Sequence, residues 1–216
     1  MERKPRVVLV GGTSNLGKTT VAQLLAQKLA AKNVSTDKLA RHPGRPWQRR
    51  PFVVPAHVAE HYLTLNHDEL IASVLKHYQS MWPTIEALVR KHVEDQSLEP
   101  LVLEGSALLP ESVTTLKLRT VSAVWLTGSD DLIQTRIHGE SGYRDADGPA
   151  KFMIDKFLER SRRFNKLIAD SVVALDLPHV VIGENWSTET MAEHCLGAMK
   201  PLAEDKKRSA RRWAVR

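Results

Sequence analysis

The sequence has 216 residues, a formal net charge of +6 and a single cysteine, Cys195. This length allows one good core and is too short for two large domains. One cysteine excludes an internal disulfide and is typical of proteins from a reducing compartment. No apolar run is long enough to span a bilayer, and no signal-peptide region precedes the first apolar run. We therefore expect a cytoplasmic protein that has no membrane partner.

The positive charge is concentrated at the end of the chain. Residues 206–216 contain six basic residues and no acidic one, so the rest of the chain is formally neutral. A terminal basic run of this kind is usually solvated and without fixed structure. We predict a single domain over 1–205 followed by a disordered basic tail over 206–216. The tail is the one segment from which we would expect contact with nucleic acid.

The first motif joins a predicted strand to a predicted helix. An apolar run at 7–10 precedes the segment 12–19, GTSNLGKT, and apolar residues at helical spacing follow it. This is the GxxxxGK[ST] pattern in the context it requires, with backbone N–H groups that cradle phosphates. In that pattern Lys18 reaches the β- and γ-phosphates and Thr19 ligates Mg²⁺, which predicts ATP and Mg²⁺ as cofactors. The predicted nucleotide-binding residues are Gly12, Thr13, Ser14, Asn15, Leu16, Gly17, Lys18, Thr19 and Thr20.

The remaining pattern predicts an α/β fold. Four more apolar runs alternate with helical patterns, at 33–36, 101–103, 121–126 and 179–182. This alternation is typical of a three-layer fold in which a five-stranded parallel sheet carries helices on both faces. Between the second and third strands we predict a helical insert at about 55–97. Within it Asn66 and Glu69 match a capping box, and Pro83 predicts the start of a second helix.

A long helical pattern covers residues 149–175, near the end of the predicted domain. Its predicted apolar side carries Phe152, Met153, Phe157, Phe164, Leu167 and Ile168. Its polar side carries Arg160 and Arg163. We interpret both arginines as surface residues first, and only second as groups that contact the transferred phosphoryl group.

Two carboxylates follow predicted strands at the edge of the sheet where ligands bind in open parallel sheets. Asp37 follows the second strand, and Glu104 follows the third. Transfer of a phosphoryl group to a hydroxyl needs a group that accepts the hydroxyl proton, so Asp37 is our candidate general base. The alternative is that Asp37 caps the next helix. Glu104 is a candidate for the Mg²⁺ site or for contact with the acceptor.

The segment 41–51 predicts a basic loop close to Asp37. It contains four arginines, three prolines, one glycine and no acidic residue. Guanidinium groups bind carboxylates and phosphates through two parallel hydrogen bonds, which favours an anionic acceptor. A basic surface loop explains the pattern equally well. Arg41 and Arg45 are the predicted substrate-binding residues of this loop because they lie nearest to Asp37.

A second arginine-bearing segment, 136–145, follows the helix after the fourth strand. It is polar and contains two glycines, which predicts a mobile lid at about 138–150. Arg136 and Arg144 would neutralise charge on the transferred phosphoryl group when this lid closes. We therefore predict both as catalytic residues.

One further motif, at residues 57–61, does not contribute to the predicted function. His57, Glu60 and His61 match the H-x-x-E-H pattern of a zinc protease family. A zinc site also needs a third ligand and an open coordination position. Short patterns of this kind match by chance, and we do not predict zinc.

Together these motifs make the sequence resemble P-loop kinases of the nucleoside-monophosphate-kinase-like fold. The segments 11–19, GGTSNLGKT, and 35–39, STDKL, are similar to the paired signature of chloramphenicol-phosphotransferase-like and 2-phosphoglycerate-kinase-like proteins. In the former group the acid at the position of Asp37 is the proposed base. The resemblance implies ATP- and Mg²⁺-dependent transfer of the γ-phosphoryl group to a hydroxyl of a small molecule, for which an anionic acceptor is one candidate.

The predicted roles are then as follows. The catalytic set is Lys18, Asp37, Arg136 and Arg144; the substrate-binding set is Asp37, Arg41, Arg45 and Glu104; the metal-binding set is Thr19 and Glu104. Two alternatives stay open, a nucleotide or polynucleotide kinase and a nucleotide-dependent regulatory protein without catalysis. We expect a monomer or a homodimer.

Overall fold

The computed structural model describes residues 4–40, 43–47 and 54–203, and its centre is a parallel sheet. The strands are β1 (Val7–Gly12), β2 (Lys32–Ser35), β3 (Leu101–Glu104), β4 (Val121–Thr127), β5 (His179–Val181) and β6 (Lys200–Pro201). The order across the sheet is β2-β3-β1-β4-β5, with all four neighbouring pairs parallel. This is the strand order of the nucleoside-monophosphate-kinase-like P-loop fold, so the predicted fold class is confirmed.

The sixth strand, β6, was not predicted. It pairs antiparallel with the first half of β4, Ser122 opposite Pro201 and Ala123 opposite Lys200. The three-residue strand β5 pairs only with the second half of β4. Because buried backbone N–H and C=O groups need partners, β6 completes the edge that β5 leaves open. A two-residue strand has no periodicity that a sequence pattern could reveal.

Helices cover both faces of the sheet. They are α1 (Lys18–Leu29), α2 (Ala56–Thr64), α3 (His67–Glu94), α4 (Pro110–Thr114), α5 (Asp130–Ser141), α6 (Gly148–Ala174) and α7 (Thr188–Ala198), with 3₁₀ turns at Thr36–Lys38 and Tyr143–Asp145. Successive side chains of a strand point to opposite faces. Accordingly, Val8 and Val10 of β1 belong to one apolar core, while Val7 and Leu9 belong to the other.

The helical insert contains one long helix where two were predicted. Asn66 and Glu69 form the predicted capping box at the start of α3. The predicted break at Pro83 is wrong, because α3 continues through the proline to Glu94. Met81 and Ile85, on either side of Pro83, are both buried in the same core. We attribute the continuity to this packing, which offsets the one backbone hydrogen bond that proline removes.

The helix α6 has the predicted length, but its faces differ from the prediction. Phe152 and Leu167, predicted on the apolar side, are exposed. Arg160, which we interpreted as a surface residue, is only 6% exposed. The Tyr62 ring of α2 and the Phe157 ring of α6 itself lie over Arg160, and the sequence of α6 alone carries no sign of Tyr62.

The segment predicted as a lid is partly regular. The helix α5 extends to Ser141, so Arg136 lies on a helix and the prediction of a loop starting there is wrong. Ser129 caps the start of α5, and Gly142 ends it in a left-handed conformation. The range 138–150 therefore holds the end of α5, the second 3₁₀ turn and the first residues of α6.

Two predictions fall outside the described residues: the role of Arg41 and the basic tail at 206–216. Within the described ranges, no helix is both long enough and apolar enough to cross a bilayer.

Candidate active site

The phosphate loop connects β1 to α1 through three left-handed residues. Gly12, Asn15 and Gly17 have φ angles of 121°, 64° and 85°. A side chain at position 12 would meet the Leu126 carbonyl oxygen at 2.2 Å, so only glycine fits there. The loop leads directly into the first turn of α1, whose N–H groups have no partners within the helix. Such a loop and helix start form an anion cradle that fits the phosphates of a nucleotide.

Lys18 points its ammonium group back into this loop. Its Nζ atom donates a hydrogen bond to the Thr13 carbonyl oxygen at 2.6 Å, and the side chain is buried. Burial lowers the pKa of Lys18 to about 8, although the negative charges of Glu104 and Asp37 oppose that shift. A buried ammonium held only by a neutral carbonyl suits the binding of a phosphate anion.

Glu104 meets Thr19 across the sheet edge. Glu104 ends β3 and lies in register with Val10 of β1 and Ser35 of β2. Its buried carboxylate accepts a hydrogen bond from the Thr19 Oγ1 atom at 3.2 Å. A hydroxyl and a carboxylate are the hard oxygen ligands that Mg²⁺ prefers, and Mg²⁺ in kinases uses few protein ligands beside the phosphates. These two residues therefore fit the predicted cation.

Asp37 lies in the 3₁₀ turn that follows β2. The Ser35 Oγ atom accepts a hydrogen bond from the Asp37 backbone N–H at 3.3 Å, so Ser35 supplies the cap of this turn. The Asp37 side chain is exposed to solvent. Its negative charge acts on Lys18 and on His77 of α3, since it opposes the lowering of both pKa values by burial. Asp37 thus faces the same cleft as the phosphate loop.

Tyr78 of α3 is a site residue that the sequence did not reveal. Its hydroxyl is in hydrogen-bond contact with Ser106, two residues after Glu104. Burial raises the pKa of Tyr78, the positive charge of Arg160 opposes this, and the charge of Asp37 adds to it. The hydroxyl therefore lies within electrostatic reach of both Asp37 and Arg160.

The two predicted lid arginines differ in position. Arg136 donates a hydrogen bond from Nη1 to the Asn15 carbonyl oxygen at 3.3 Å, and partial burial lowers its pKa. Arg136 is therefore already in contact with the phosphate loop. Arg144 is exposed on the second 3₁₀ turn. Within the described residues, no hydrogen bond or ion pair connects Arg144 to the loop.

Arg45 is joined to the phosphate loop through an acid that the sequence did not single out. The Arg45 guanidinium forms an ion pair with the carboxylate of Glu140, near the end of α5. The other oxygen of Glu140 accepts a hydrogen bond from the Asn15 side chain. The positive charge of Arg45 is also close enough to lower the pKa of Lys18, although burial is the main cause. Arg45 therefore belongs to the nucleotide end of the cleft.

Arg160 is buried beside aromatic rings of α2 and α6. Its Cζ atom is 4.6 Å from the centroid of the Phe157 ring and 5.5 Å from that of Tyr62. Its Nη1 atom is buried without a hydrogen-bond partner. Helical spacing placed Arg160 on the polar side of α6. Nothing in the local sequence indicated the Tyr62 ring, which comes from α2.

His57 and His61 lie one turn apart on α2, in the pattern that resembles a zinc motif. His61 packs edge-to-face against Tyr62, and burial, followed by the charge of Arg160, lowers its pKa. In the part of the chain that the structure describes, no group of three or more histidine, cysteine or acidic residues could hold a metal ion.

Comparisons with known proteins give structural likeness alone. No protein-family profile matches the sequence, and no curated protein sequence matches it. Among solved structures, the chain is similar to a gluconokinase from Sinorhizobium meliloti 1021 (17% identity, 91% of this chain and 93% of that chain, TM-score 0.48). It is also similar to a shikimate kinase from Bacteroides thetaiotaomicron (14%, 88% and 96%, TM-score 0.48) and to a deoxyadenosine kinase from M. mycoides with bound dATP (15%, 88% and 97%, TM-score 0.47). At these identities and TM-scores, the likeness carries neither a substrate nor an activity across to this chain.

Proposed function

We propose that the protein is a kinase that uses ATP and Mg²⁺ to phosphorylate a hydroxyl group of a small molecule. The observation that carries this proposal is the convergence of charges around Lys18. The carboxylates of Glu104 and Asp37 and the guanidinium of Arg45 all act on its ammonium group. Lys18, the nearby pair Asp37 and Arg45, and Glu104 lie in three separate segments of the sequence. Their meeting at the phosphate loop is what phosphoryl transfer requires.

Each residue has a defined task in the proposed reaction. Lys18 and the loop N–H groups bind the phosphates, and Thr19 and Glu104 hold the cation. When bound, Mg²⁺ neutralises charge on the phosphates. Asp37 takes the hydroxyl proton while one P–O bond forms to the acceptor oxygen and the P–O bond to the ADP oxygen breaks. Arg136, which already contacts the loop at Asn15, stabilises negative charge beside the phosphates.

The test separates proton transfer from nucleotide binding. ADP release by wild type and D37N is measured against hydroxy acids, sugars, nucleosides and antibiotic alcohols, and MgATP affinity is measured by calorimetry. We expect D37N to lower kcat by about 10²–10⁴-fold, the range for loss of a general base. Its MgATP affinity should stay within about twofold of wild type, because Asp37 does not touch the phosphates in this proposal.

D170N is the matched control, since Asp170 is an exposed carboxylate of α6 that pairs with Lys166. It should leave both quantities unchanged. Equal loss of transfer and MgATP binding in D37N would contradict the assignment of the base. ATP hydrolysis that no acceptor stimulates would instead favour a nucleotide-dependent regulatory protein.

A further inference from the structure

Arg160 is a buried cation without a counter-ion among the residues that the structure describes. Its residue exposure is 6%, and the buried Nη1 atom has no hydrogen-bond partner. In the part of the chain that the structure describes, no carboxylate forms an ion pair with it. Arginine is among the residues least often fully buried unless it is paired. A buried N–H group without an acceptor is costly, and such a group needs a specific explanation.

The described surroundings of Arg160 supply aromatic rings but no hydrogen-bond acceptor for its Nη1 atom. The rings of Phe157 and Tyr62 lie within cation–π distance of the guanidinium carbon. Trp47 packs edge-on against Phe157 at a centroid distance of 4.7 Å. Aromatic rings compensate the charge in part but accept no strong hydrogen bond from the N–H groups. A planar anionic group that met the guanidinium edge would supply those acceptors.

Two contacts anchor α6 just after Arg160. The Thr13 hydroxyl, in the phosphate loop, donates to the Ser161 carbonyl oxygen at 3.3 Å. One turn later, the Asn165 side chain exchanges two hydrogen bonds with the backbone of Gly128, at 2.9 and 3.2 Å. Arg160 is therefore held in a fixed place relative to the nucleotide end of the cleft.

Tyr78 links Arg160 to the proposed base. The charges of Arg160 and Asp37 both act on the Tyr78 hydroxyl, which contacts Ser106. Both charges thus lie within electrostatic range of the same phenol. A molecule whose hydroxyl group lies at Asp37 would extend past Tyr78 toward Arg160.

The other arginines of the cleft are already engaged. Arg45 pairs with Glu140, and Arg136 donates to the Asn15 carbonyl oxygen. On α6 itself, the neighbouring Arg163 pairs with two carboxylates at the surface. Among these four arginines, Arg160 is the one that is both buried and unpaired.

We propose that the guanidinium of Arg160 binds the anionic group, carboxylate or phosphate, of the molecule that the kinase phosphorylates. The acceptor is then a hydroxyl compound that carries a negative charge, with its charged end in the pocket formed by Tyr62, Phe157 and Trp47. This inference rests on the proposed function only in assigning the anion to the acceptor. The binding site itself can be tested without catalysis.

The first experiment measures anion binding while the phosphate loop is occupied. Protein labelled with ¹⁵N is saturated with MgADP and titrated with sodium formate or with inorganic phosphate. The arginine side-chain resonance that is missing in R160Q identifies Arg160. We expect that resonance to move with at least one of the two anions, and the anion that binds more tightly distinguishes a carboxylate site from a phosphate site.

R163Q is the matched control on the same helix. We expect R160Q to bind the preferred anion at least about tenfold more weakly than wild type, as for the loss of a charge-assisted pair of hydrogen bonds. R163Q should bind within twofold of wild type. R160K keeps the positive charge but lacks the planar guanidinium group, so its anion affinity should lie between those of R160Q and R163Q. An Arg160 resonance that neither anion moves in the wild type would overturn the proposal, whatever the stability of the variants.

A second experiment separates this inference from the proposed function. ADP release is compared for glycerol, glycerate and glycerol 3-phosphate, which share hydroxyl groups and differ in charge. D37N should keep the anion affinity of the wild type. Anion binding at Arg160 without any acceptor-stimulated ADP release would leave the site standing and remove the kinase proposal. If neutral acceptors are phosphorylated and R160Q does not change that activity, the kinase proposal would stand and the acceptor-binding role of Arg160 would be contradicted.

Discussion

The two ends of the cleft are built in different ways. At the nucleotide end, the residues 12–19 are consecutive, and Lys18 is held by a carbonyl of the same segment. At the proposed acceptor end, Asp37, Tyr78 and Arg160 come from a 3₁₀ turn and two helices, and the packing of those elements brings the charges of Asp37 and Arg160 within electrostatic range of the Tyr78 hydroxyl. The first end is therefore a local property of the chain. The second depends on the tertiary structure.

The largest expected effects come from the glycine that each end requires. G12A would place a Cβ atom 2.2 Å from the Leu126 carbonyl oxygen, and G105A would place one 1.7 Å from the Thr36 Oγ1 atom. Both glycines also have positive φ, 121° and 154°. We expect each variant to lose about 3 kcal/mol or more of unfolding free energy in urea titrations.

G139A is the control for these two variants. Gly139 lies within α5, and a Cβ atom there meets nothing within 4 Å. We expect G139A to raise the unfolding free energy by about 0.5–1 kcal/mol, as for glycine replaced by alanine in a helix. Where folded protein remains, G12A should lose MgADP binding and G105A should keep it. Equal loss of MgADP binding in G12A and G105A would contradict the distinction between the two ends.

The next largest expected effect is a difference in pH dependence between ligand binding at the two ends of the cleft. Burial lowers the pKa of Lys18 to about 8, and only the protonated ammonium attracts phosphate. MgADP affinity should therefore be constant below pH 8 and fall above it, by up to tenfold per pH unit. Formate or phosphate binding at Arg160 should not follow that decline, because a guanidinium stays charged throughout this range. Calorimetry between pH 6.5 and 9.5 measures the first quantity, and the Arg160 resonance reports the second.

K18R provides the control for the pH experiment. Its guanidinium keeps its charge across this range, so any remaining MgADP affinity should lose the decline above pH 8. An identical decline in K18R would show that a group other than Lys18 controls nucleotide binding.

The smallest expected effect concerns Glu140, which pairs with Arg45 and accepts a hydrogen bond from Asn15. E140Q removes a negative charge next to Asn15 and releases Arg45 from its ion pair. The two side chains are 46% and 30% exposed, so we expect the unfolding free energy to change by less than about 1 kcal/mol. MgADP should bind roughly threefold more tightly, because repulsion of the phosphates is lost. Weaker MgADP binding would mean that Glu140 instead holds the loop in its binding conformation.

The difference between the two ends of the cleft also explains which features could be predicted from the sequence. The predicted strands agree with the structure to within a few residues, and the phosphate loop follows β1 as predicted, because both depend on local spacing. Arg160 was assigned to the surface, and the spacing of Tyr78 within α3 does not distinguish it from the core residues of that helix. Helical periodicity separates apolar from polar faces, but it does not say which face a second helix or a loop will cover.

Two other differences have the same origin. Pro83 was predicted to start a second helix because proline is favoured in the first turn of a helix, whereas the packing of α3 keeps one helix continuous through it. Glu140 belonged to a segment that we interpreted by its arginines alone. Its contacts with Arg45 and Asn15 join residues about 95 and 125 positions away, which no local pattern encodes.

The pairing of β6 with β4 has a practical consequence for handling the protein. Lys200 and Pro201 lie beside Ser122 and Ala123, near the amino end of β4. The cleft opens at the carboxyl ends of the strands, where β1 leads into the phosphate loop, roughly 15–20 Å further along the sheet. A surface tether or fusion partner joined through the residues that follow β6 would therefore start from the side remote from the cleft. Immobilised in this orientation, the molecule would present its cleft to the flowing solution.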